Sequence, residues 1–187
     1  MAAPPPRRPA TRSAFPYRFV APARPLDPRA TPNHNQAMPR VAVLAGSESD
    51  VPVVEPCLQT LSELGIEHEL HVMSAHRSPA KVQEFASTAA ERGFEVIIAA
   101  AGMAAHLPGV IAAWTALPVI GVPVGKPGMS GLDALLSIVQ MPPGVPVACM
   151  AVNGAKNAAL FAAAILALKH EPVRAALDGY RRQQSEG

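Results

Sequence analysis

His76 and Arg77 are adjacent in residues 74–79, SAHRSP, between a short apolar run and a helical pattern. A histidine takes and gives a proton near neutral pH, and an arginine is a fixed cation that grips a phosphate. The backbone N–H groups at the start of the following helix also favour an anion. The segment therefore predicts acid/base chemistry on a phosphorylated small molecule. The alternative is a helix cap, with Ser78 as N-cap, Pro79 as the first helical residue, and solvated His76 and Arg77 side chains.

A second candidate segment is residues 46–50, GSESD, which follows the first apolar run. The hydroxyls of Ser47 and Ser49, together with a helix N-terminus, offer neutral donors to a phosphate. Asp50 can accept hydrogen bonds from ribose hydroxyls, or cap the next helix, or do both. The segment has neither the lysine and spacing of a P-loop nor a G-x-G-x-x-G pattern, so neither ATP nor a dinucleotide is indicated.

His106 ends a run of small and apolar residues, and Lys126 lies in the glycine-rich segment 125–131. A lone histidine beside an apolar run is either a satisfied core or cap residue, or it faces a pocket. Both alternatives stay open for His106. Lys126 is interpreted as a solvated loop charge.

The histidines and cysteines give no signature of a metal site. His76 and His106 do not form a zinc motif, and no carboxylate accompanies them at ligand spacing. Cys57 falls on an apolar helical stripe and Cys149 in an apolar strand. We expect no metal, and we interpret both cysteines as reduced core residues of a cytoplasmic protein.

Apolar runs and helical patterns alternate from residue 40 onward, which indicates a parallel sheet, because parallel neighbours need crossover connections. We predict a three-layer αβα fold with a flavodoxin-like, parallel five-stranded sheet and a C-terminal helix. The predicted strands are 41–45, 66–73, 94–101, 118–124 and 146–152. Helices are predicted around the apolar stripes between them, including 79–92, 106–115 and 132–139, and at 171–183.

Two further expectations follow from that fold. Pro56 removes a backbone hydrogen bond within the first helix and should kink or shorten it. Ligands of open parallel sheets bind outside the carboxyl ends of the strands. The small, polar segments that follow the first four strands should therefore meet along one rim.

Residues 1–38 differ from the rest of the chain. They hold six arginines, one acid and nine prolines, and their net charge of +5 leaves −3 for residues 39–187. We predict a disordered Pro/Arg-rich extension at 1–38 and a single α/β domain at 39–187. A transit peptide and a misassigned start are alternatives, and the position of Met38 just before the first strand favours the latter.

Charge and hydropathy argue against two classes of partner. Without the extension the chain has no basic excess, so we expect no nucleic-acid partner. The longest apolar stretch, residues 96–105, is far shorter than the roughly 20 residues that cross a bilayer. We therefore expect no membrane association.

Four motifs together closely resemble the N5-carboxyaminoimidazole ribonucleotide mutase family: residues 46–50, 74–79, 104–109 and 137–142. The resemblance runs from about residue 40 to 168, and it implies reversible transfer of a carboxylate from the exocyclic nitrogen of an aminoimidazole ribonucleotide to ring carbon 4. No metal, ATP, biotin or other cofactor is implied.

The resemblance also implies roles for individual residues. His76 matches the histidine that moves the protons. Ser47, Asp50 and Arg77 match ribose-phosphate binders, and Ser74 and His106 match positions that line the pocket. Ser49 is a further candidate for substrate binding, from its hydroxyl in the first segment.

At the level of the molecule, the resemblance implies a cytoplasmic homo-octamer in purine (IMP) biosynthesis. The ATP-dependent N5-carboxyaminoimidazole ribonucleotide synthetase is the expected functional partner.

The runner-up function is a CO2-dependent aminoimidazole ribonucleotide carboxylase on the same fold. That type usually carries lysine in place of Arg77 and lacks the segment 106–108, so both features favour the mutase. A non-catalytic flavodoxin-like nucleotide-binding module is a third alternative, because this fold hosts many functions. Met103 is a departure from the family pattern, since glycine is expected there in many members.

Overall fold

The computed structural model describes residues 38–186, so the predicted extension at 1–38, apart from Met38, lies outside the described residues. The strands are β1 Arg40–Ala45, β2 Glu67–Val72, β3 Phe94–Gly102, β4 Val119–Val124 and β5 Ala148–Cys149. They form one sheet, in which all neighbours are parallel and the order is β2-β1-β3-β4-β5. This is the flavodoxin-like order, and the predicted fold class is confirmed.

Helices connect the strands and form the outer layers. A short 3-10 turn at Glu48–Asp50 precedes the first of them. The α-helices are α1 Val51–Glu63, α2 Pro79–Thr88, α3 Leu107–Ala112, α4 Leu132–Val139, α5 Ala155–Leu166 and α6 Glu171–Glu186. None of the helices between residues 38 and 186 has the length and hydropathy that a membrane span requires.

Apolar side chains pack on both faces of the sheet. In β1, Val41 and Val43 join the core under α1, α5 and α6, whereas Ala42 and Leu44 join the core under α2, α3 and α4. Alternate residues of a strand point to opposite faces, so one strand supplies both cores. This burial on both faces explains why the central strands have almost no polar residues.

The fifth strand is shorter than predicted. Residues 146–152 were expected to form it, but only Ala148–Cys149 pair with β4. Pro146 has no N–H for a ladder. Beyond the strand, the N–H groups of Met150 and Asn153 still donate to β4 carbonyls at 2.9 and 2.8 Å, so the chain follows β4 irregularly.

Two helices end earlier than predicted. Helix α2 stops at Thr88 instead of residue 92, and the chain turns before Gly93, where φ is +85°. Helix α3 has six residues and ends at Ala112 instead of residue 115. There the Thr115 hydroxyl accepts a hydrogen bond from the N–H of Leu117, a local bond of the kind that competes with a helix.

Pro56 does not shorten the first helix, which was one of its two expected effects. Helix α1 continues through Pro56 to a length of 13 residues. The missing N–H removes only the bond to the carbonyl of residue 52. In the next turn, the Thr60 hydroxyl donates to the Pro56 carbonyl at 2.7 Å.

Candidate active site

One cavity of about 410 Å³ lies at the carboxyl ends of β1 to β4. It sits at the position where the strand order reverses, between β1 and β3, which is where ligands of this architecture bind. Its volume is in the range of small-molecule sites. All seven predicted site residues line it: Ser47, Ser49, Asp50, Ser74, His76, Arg77 and His106.

Two imidazoles meet inside this cavity. His76 follows β2 and His106 precedes α3, yet His76 Nε2 lies 2.7 Å from His106 Nδ1. The ring centroids are 4.9 Å apart and the planes are nearly perpendicular, at 88°. One ring must donate and the other accept, so at least one of them lacks a proton at the shared position. His106 occupies the N-cap position of α3, but its side chain makes no capping bond, and the residue lines the cavity.

Arg77 links the loop after β2 to the loop after β1. Its guanidinium Nη2 donates to the carbonyl of Gly46 at 3.2 Å, and the backbone N–H of Arg77 donates to Ser74 Oγ at 3.3 Å. The cation is thereby held beside the loop that carries Ser47 and Ser49. A phosphate bound between them would meet a fixed charge and two hydroxyls.

Ser78 is the N-cap residue of α2, as the helix-cap alternative predicts, but its side chain makes no capping bond. Its hydroxyl instead donates to the Ser74 carbonyl at 3.1 Å. Pro79 is the first residue of α2, as predicted. Proline suits that position because its missing N–H would have no helical partner there.

Asp50 is the one predicted site residue that is fully buried, with 3% of its surface exposed. It stands at the N-cap position of α1, as predicted, but its side chain makes no capping bond. Its Oδ1 instead lies 2.7 Å from Lys126 Nζ. Nearby, the hydroxyls of Ser47 and Ser49 are 2.8 Å apart.

Lys126 is a lining residue that the sequence analysis missed. It was interpreted as a solvated charge, but its Nζ also lies 3.0 Å from Ser49 Oγ. Its position directly after β4 could have indicated that it lines the cavity, because the loops after β4 and β1 lie along the same rim of the sheet.

Met103 lines the cavity with 65% of its surface exposed. Its φ is +56°, in the left-handed region. Glycine adopts this conformation without the steric cost that a Cβ brings. The backbone therefore accounts for the expectation that many family members have glycine here.

The cysteines lie outside this cavity. Cys57 is fully buried, and burial raises the pKa of its thiol to about 12. Cys149 is half-buried, and desolvation raises its thiol pKa as well. Within residues 38–186, no group of three or more His, Cys, Asp or Glu side chains is arranged to hold a metal ion.

Residues 40–187 match the protein-family model for AIR carboxylase. The N5-carboxyaminoimidazole ribonucleotide mutase of Pyrococcus abyssi is 54% identical over 144 residues, which are 77% of this chain and 83% of that protein. The protein of the same name from Thermotoga maritima is 52% identical over 146 residues, 78% of this chain and 85% of that protein. The crystal structure of Treponema denticola PurE superposes with a TM-score of 0.71 at 26% identity, over 79% of this chain and 92% of that one.

Proposed function

Because this chain belongs to the AIR carboxylase family, we propose that it reversibly converts N5-carboxyaminoimidazole ribonucleotide to 4-carboxy-5-aminoimidazole ribonucleotide in purine (IMP) biosynthesis. Relatives that are more than half identical carry the name of this mutase, which agrees with the function that the sequence motifs imply. The observation that carries the mechanism is the His76–His106 pair, which lies in one cavity with Arg77 and Asp50.

The ribose phosphate is bound by the loops after β1 and β2. Arg77 supplies the fixed cation for the phosphate, with the hydroxyls of Ser47 and Ser49 beside it. The carboxylate of Asp50 accepts hydrogen bonds from the ribose hydroxyls. Ser74 positions the backbone of Arg77 through the 3.3 Å bond to its hydroxyl.

The reaction breaks one bond to the carboxyl carbon and forms another. The carbon–nitrogen bond breaks, CO2 is released inside the cavity, and the exocyclic nitrogen gains a proton. Carbon 4 then attacks the CO2 and afterwards loses its proton. Because the CO2 stays beside its acceptor, the second step is effectively unimolecular.

A single imidazole can balance the protons of this reaction. The net change is one proton from carbon 4 to the exocyclic nitrogen, so His76 can give one proton and recover another in each turnover. The contact between His106 Nδ1 and His76 Nε2, at 2.7 Å, holds the His76 ring within the cavity. A histidine side chain takes and gives protons readily near neutral pH.

The test of this mechanism is His76→Asn, measured with N5-carboxyaminoimidazole ribonucleotide. We expect kcat to fall by at least about a hundredfold, the usual contribution of a general acid/base, with little change in substrate affinity. His68→Asn is the matched control, because His68 lies in β2 and bonds the Ile66 carbonyl at 3.0 Å, outside the cavity. Activity of His76→Asn within about tenfold of the parent contradicts the role of His76.

The same assay tests the substrate. We expect turnover of N5-carboxyaminoimidazole ribonucleotide without added bicarbonate. Turnover only of aminoimidazole ribonucleotide with bicarbonate would identify the CO2-dependent carboxylase instead.

We further propose that the protein is a homo-octamer. Support comes from α4, whose outer surface carries a stripe of three apolar side chains about half exposed: Leu132, Leu136 and Val139. Their spacing places them on one face of the helix. A contiguous apolar surface of this kind is typical of a protein–protein contact.

Two proposals concern the cell. We propose a cytoplasmic location, which the free thiols of Cys57 and Cys149 support, because cytosolic cysteines are kept reduced. We also propose functional pairing with the ATP-dependent synthetase that makes the substrate, since a carboxylate on nitrogen is chemically labile and benefits from prompt use.

A further inference from the structure

Lys126 crosses the cavity from the loop after β4 to the loop after β1. Its Nζ lies 2.7 Å from Asp50 Oδ1 and 3.0 Å from Ser49 Oγ. Its stem passes over Gly102, where a Cβ would lie 3.3 Å from both Cγ and Cε of the lysine. The aliphatic part of the Lys126 side chain therefore packs against Gly102 at the carboxyl end of β3.

The ion pair with Lys126 stabilises the buried Asp50 carboxylate. The Asp50 side chain is 5% exposed, and a buried carboxylate is costly unless it is paired and hydrogen-bonded. Among residues 38–186, Lys126 is the one cation that forms an ion pair with it. The remaining side-chain contact, Ser49 Oγ to Oδ1, is long at 3.5 Å.

The ion pair also changes the charge that an anionic ligand meets. Without Lys126, the cavity would present the Asp50 carboxylate and the Arg77 guanidinium, whose charges cancel. With Lys126 paired to Asp50, the positive charge of Arg77 is left for a phosphate. Like charges in a partly buried site repel more strongly than in water. An unpaired Asp50 carboxylate would therefore weaken the binding of a ligand with several negative charges.

We propose that Lys126 is a positioning residue of the ribose-phosphate site. Its ammonium group holds the Asp50 carboxylate and the Ser49 hydroxyl in the orientation that receives the ribose, and it cancels the charge that would repel the phosphate. This inference rests on the proposed function, in which the ligand is a ribonucleotide. Lys126 acts through Asp50 and not on the reacting carbon or nitrogen, so its loss changes binding more than turnover.

The first experiment measures binding of ribose 5-phosphate by calorimetry, together with kcat and KM for N5-carboxyaminoimidazole ribonucleotide. Lys126→Met should weaken binding and raise KM by about tenfold, equivalent to about 1.4 kcal/mol, with kcat within about twofold. Lys126→Arg keeps the charge and should recover most of the loss. Lys169→Met is the matched control, because it removes an ion pair with Glu95 of 2.9 Å outside the cavity.

A double-mutant cycle tests whether Lys126 works through Asp50. In an Asp50→Asn background, Lys126→Met should lower the affinity for ribose 5-phosphate by clearly less than the loss of about tenfold expected in the parent, since the carboxylate that Lys126 orients is already gone. A loss of about tenfold in that background would mean that Lys126 acts on the ligand directly, which overturns the proposal.

Two other results also overturn it. One is an affinity of Lys126→Met within about twofold of the parent, and the other is a fall in kcat with unchanged binding. Binding of ribose 5-phosphate does not depend on turnover. If the parent binds it but does not convert N5-carboxyaminoimidazole ribonucleotide, the proposed function fails, and the binding data still decide the role of Lys126.

Discussion

At the scale of single residues, Met103 shows how the backbone constrains the rim of the cavity. Its φ of +56° is one of three positive values at non-glycine residues in the described chain, with Ser130 and Asn153. For an L-residue this conformation costs roughly 1–2 kcal/mol. The side chain is 65% exposed, so little packing offsets that cost.

We therefore expect Met103→Gly to be more stable than Met103→Ala by about 1 kcal/mol, because only glycine escapes the steric cost at this φ. Urea unfolding of the two variants measures the difference. At a right-handed position the order is reversed, with alanine favoured by about 0.5–1 kcal/mol. The reversed order would contradict the left-handed conformation of residue 103.

Four of the predicted site residues, His76, Arg77, Asp50 and His106, lie in one cavity. Their roles in binding and proton transfer stay predictions, which the substitutions at His76 and Lys126 address. The interpretation of Lys126 as a solvated charge is wrong, because the lysine is paired with a buried carboxylate.

At the scale of elements, the contact between β4 and α4 depends on the absence of a side chain at Gly121. A Cβ there would lie 2.5 Å from Ile138 Cγ2 and 3.1 Å from Val147 Cγ1. Real Cβ atoms do not approach other atoms so closely. Helix α4 packs this closely on the strand because residue 121 is glycine, and a larger residue would force a shift.

We expect Gly121→Ala to lower the free energy of unfolding by about 1–3 kcal/mol, the usual cost of overpacking a core. Gly179→Ala in α6 is the matched control, since a Cβ there would lie 4.0 Å from Arg182 Nη2, an ordinary contact. That control should gain about 0.5–1 kcal/mol from helix propensity. Chemical denaturation of both variants measures the expected loss of stability in Gly121→Ala and the expected gain in Gly179→Ala.

Helix α1 buries the Cys57 thiol, which predicts a pH dependence. Its pKa rises from the ordinary value of 9.0 to about 12 on folding, because burial disfavours the thiolate. A raised pKa means that the stability is fully present below pH 9.0 and is lost as the pH rises toward about 12. Between these limits the unfolding free energy should fall by about 1.4 kcal/mol per pH unit.

The difference in unfolding free energy between the parent and Cys57→Ala separates the effect of this thiol from the effects of other groups that titrate at alkaline pH. We expect a steeper loss of stability above pH 9.0 in the parent than in the variant. Thiol labelling of the folded protein near neutral pH should also spare Cys57. Parallel stability curves or rapid labelling of Cys57 would show that the thiol is accessible.

At the scale of the whole molecule, the apolar stripe on α4 is the surface that we propose as a contact between copies of the chain. We expect Leu136→Glu, in the middle of the stripe, to lower the sedimentation mass of the assembly, because it places a charge in the contact. Leu168→Glu is the control, since Leu168 is 82% exposed and follows α5. An unchanged mass of Leu136→Glu would exclude α4 from the interface.

The single domain predicted for residues 39–187 is likewise a proposal about the whole molecule. The five strands form one sheet with an apolar core on each face, and α6 packs on α5. Such shared cores are expected to unfold together. Coincident unfolding curves from fluorescence and circular dichroism would support it.

Much of the fold was predictable because it depends on neighbours in sequence. Apolar periodicity and the breaks between elements indicated the five strands and the parallel sheet. Four motifs identified the family, which the match over residues 40–187 confirms. Pro79 was predicted correctly as the first residue of α2 because its backbone preference is local, whereas the end of α2 at Thr88 was not predicted.

Tertiary structure alone decided which side chains touch. The contact of His76 with His106 joins residues 30 apart in sequence, and the contact of Lys126 with Ser49 joins residues 77 apart. The two-residue length of β5 also depends on its fit to β4 and not on its own apolar pattern. Sequence patterns place a loop at an edge of the sheet, but the packing of helices and the path of each side chain determine the distances within that edge.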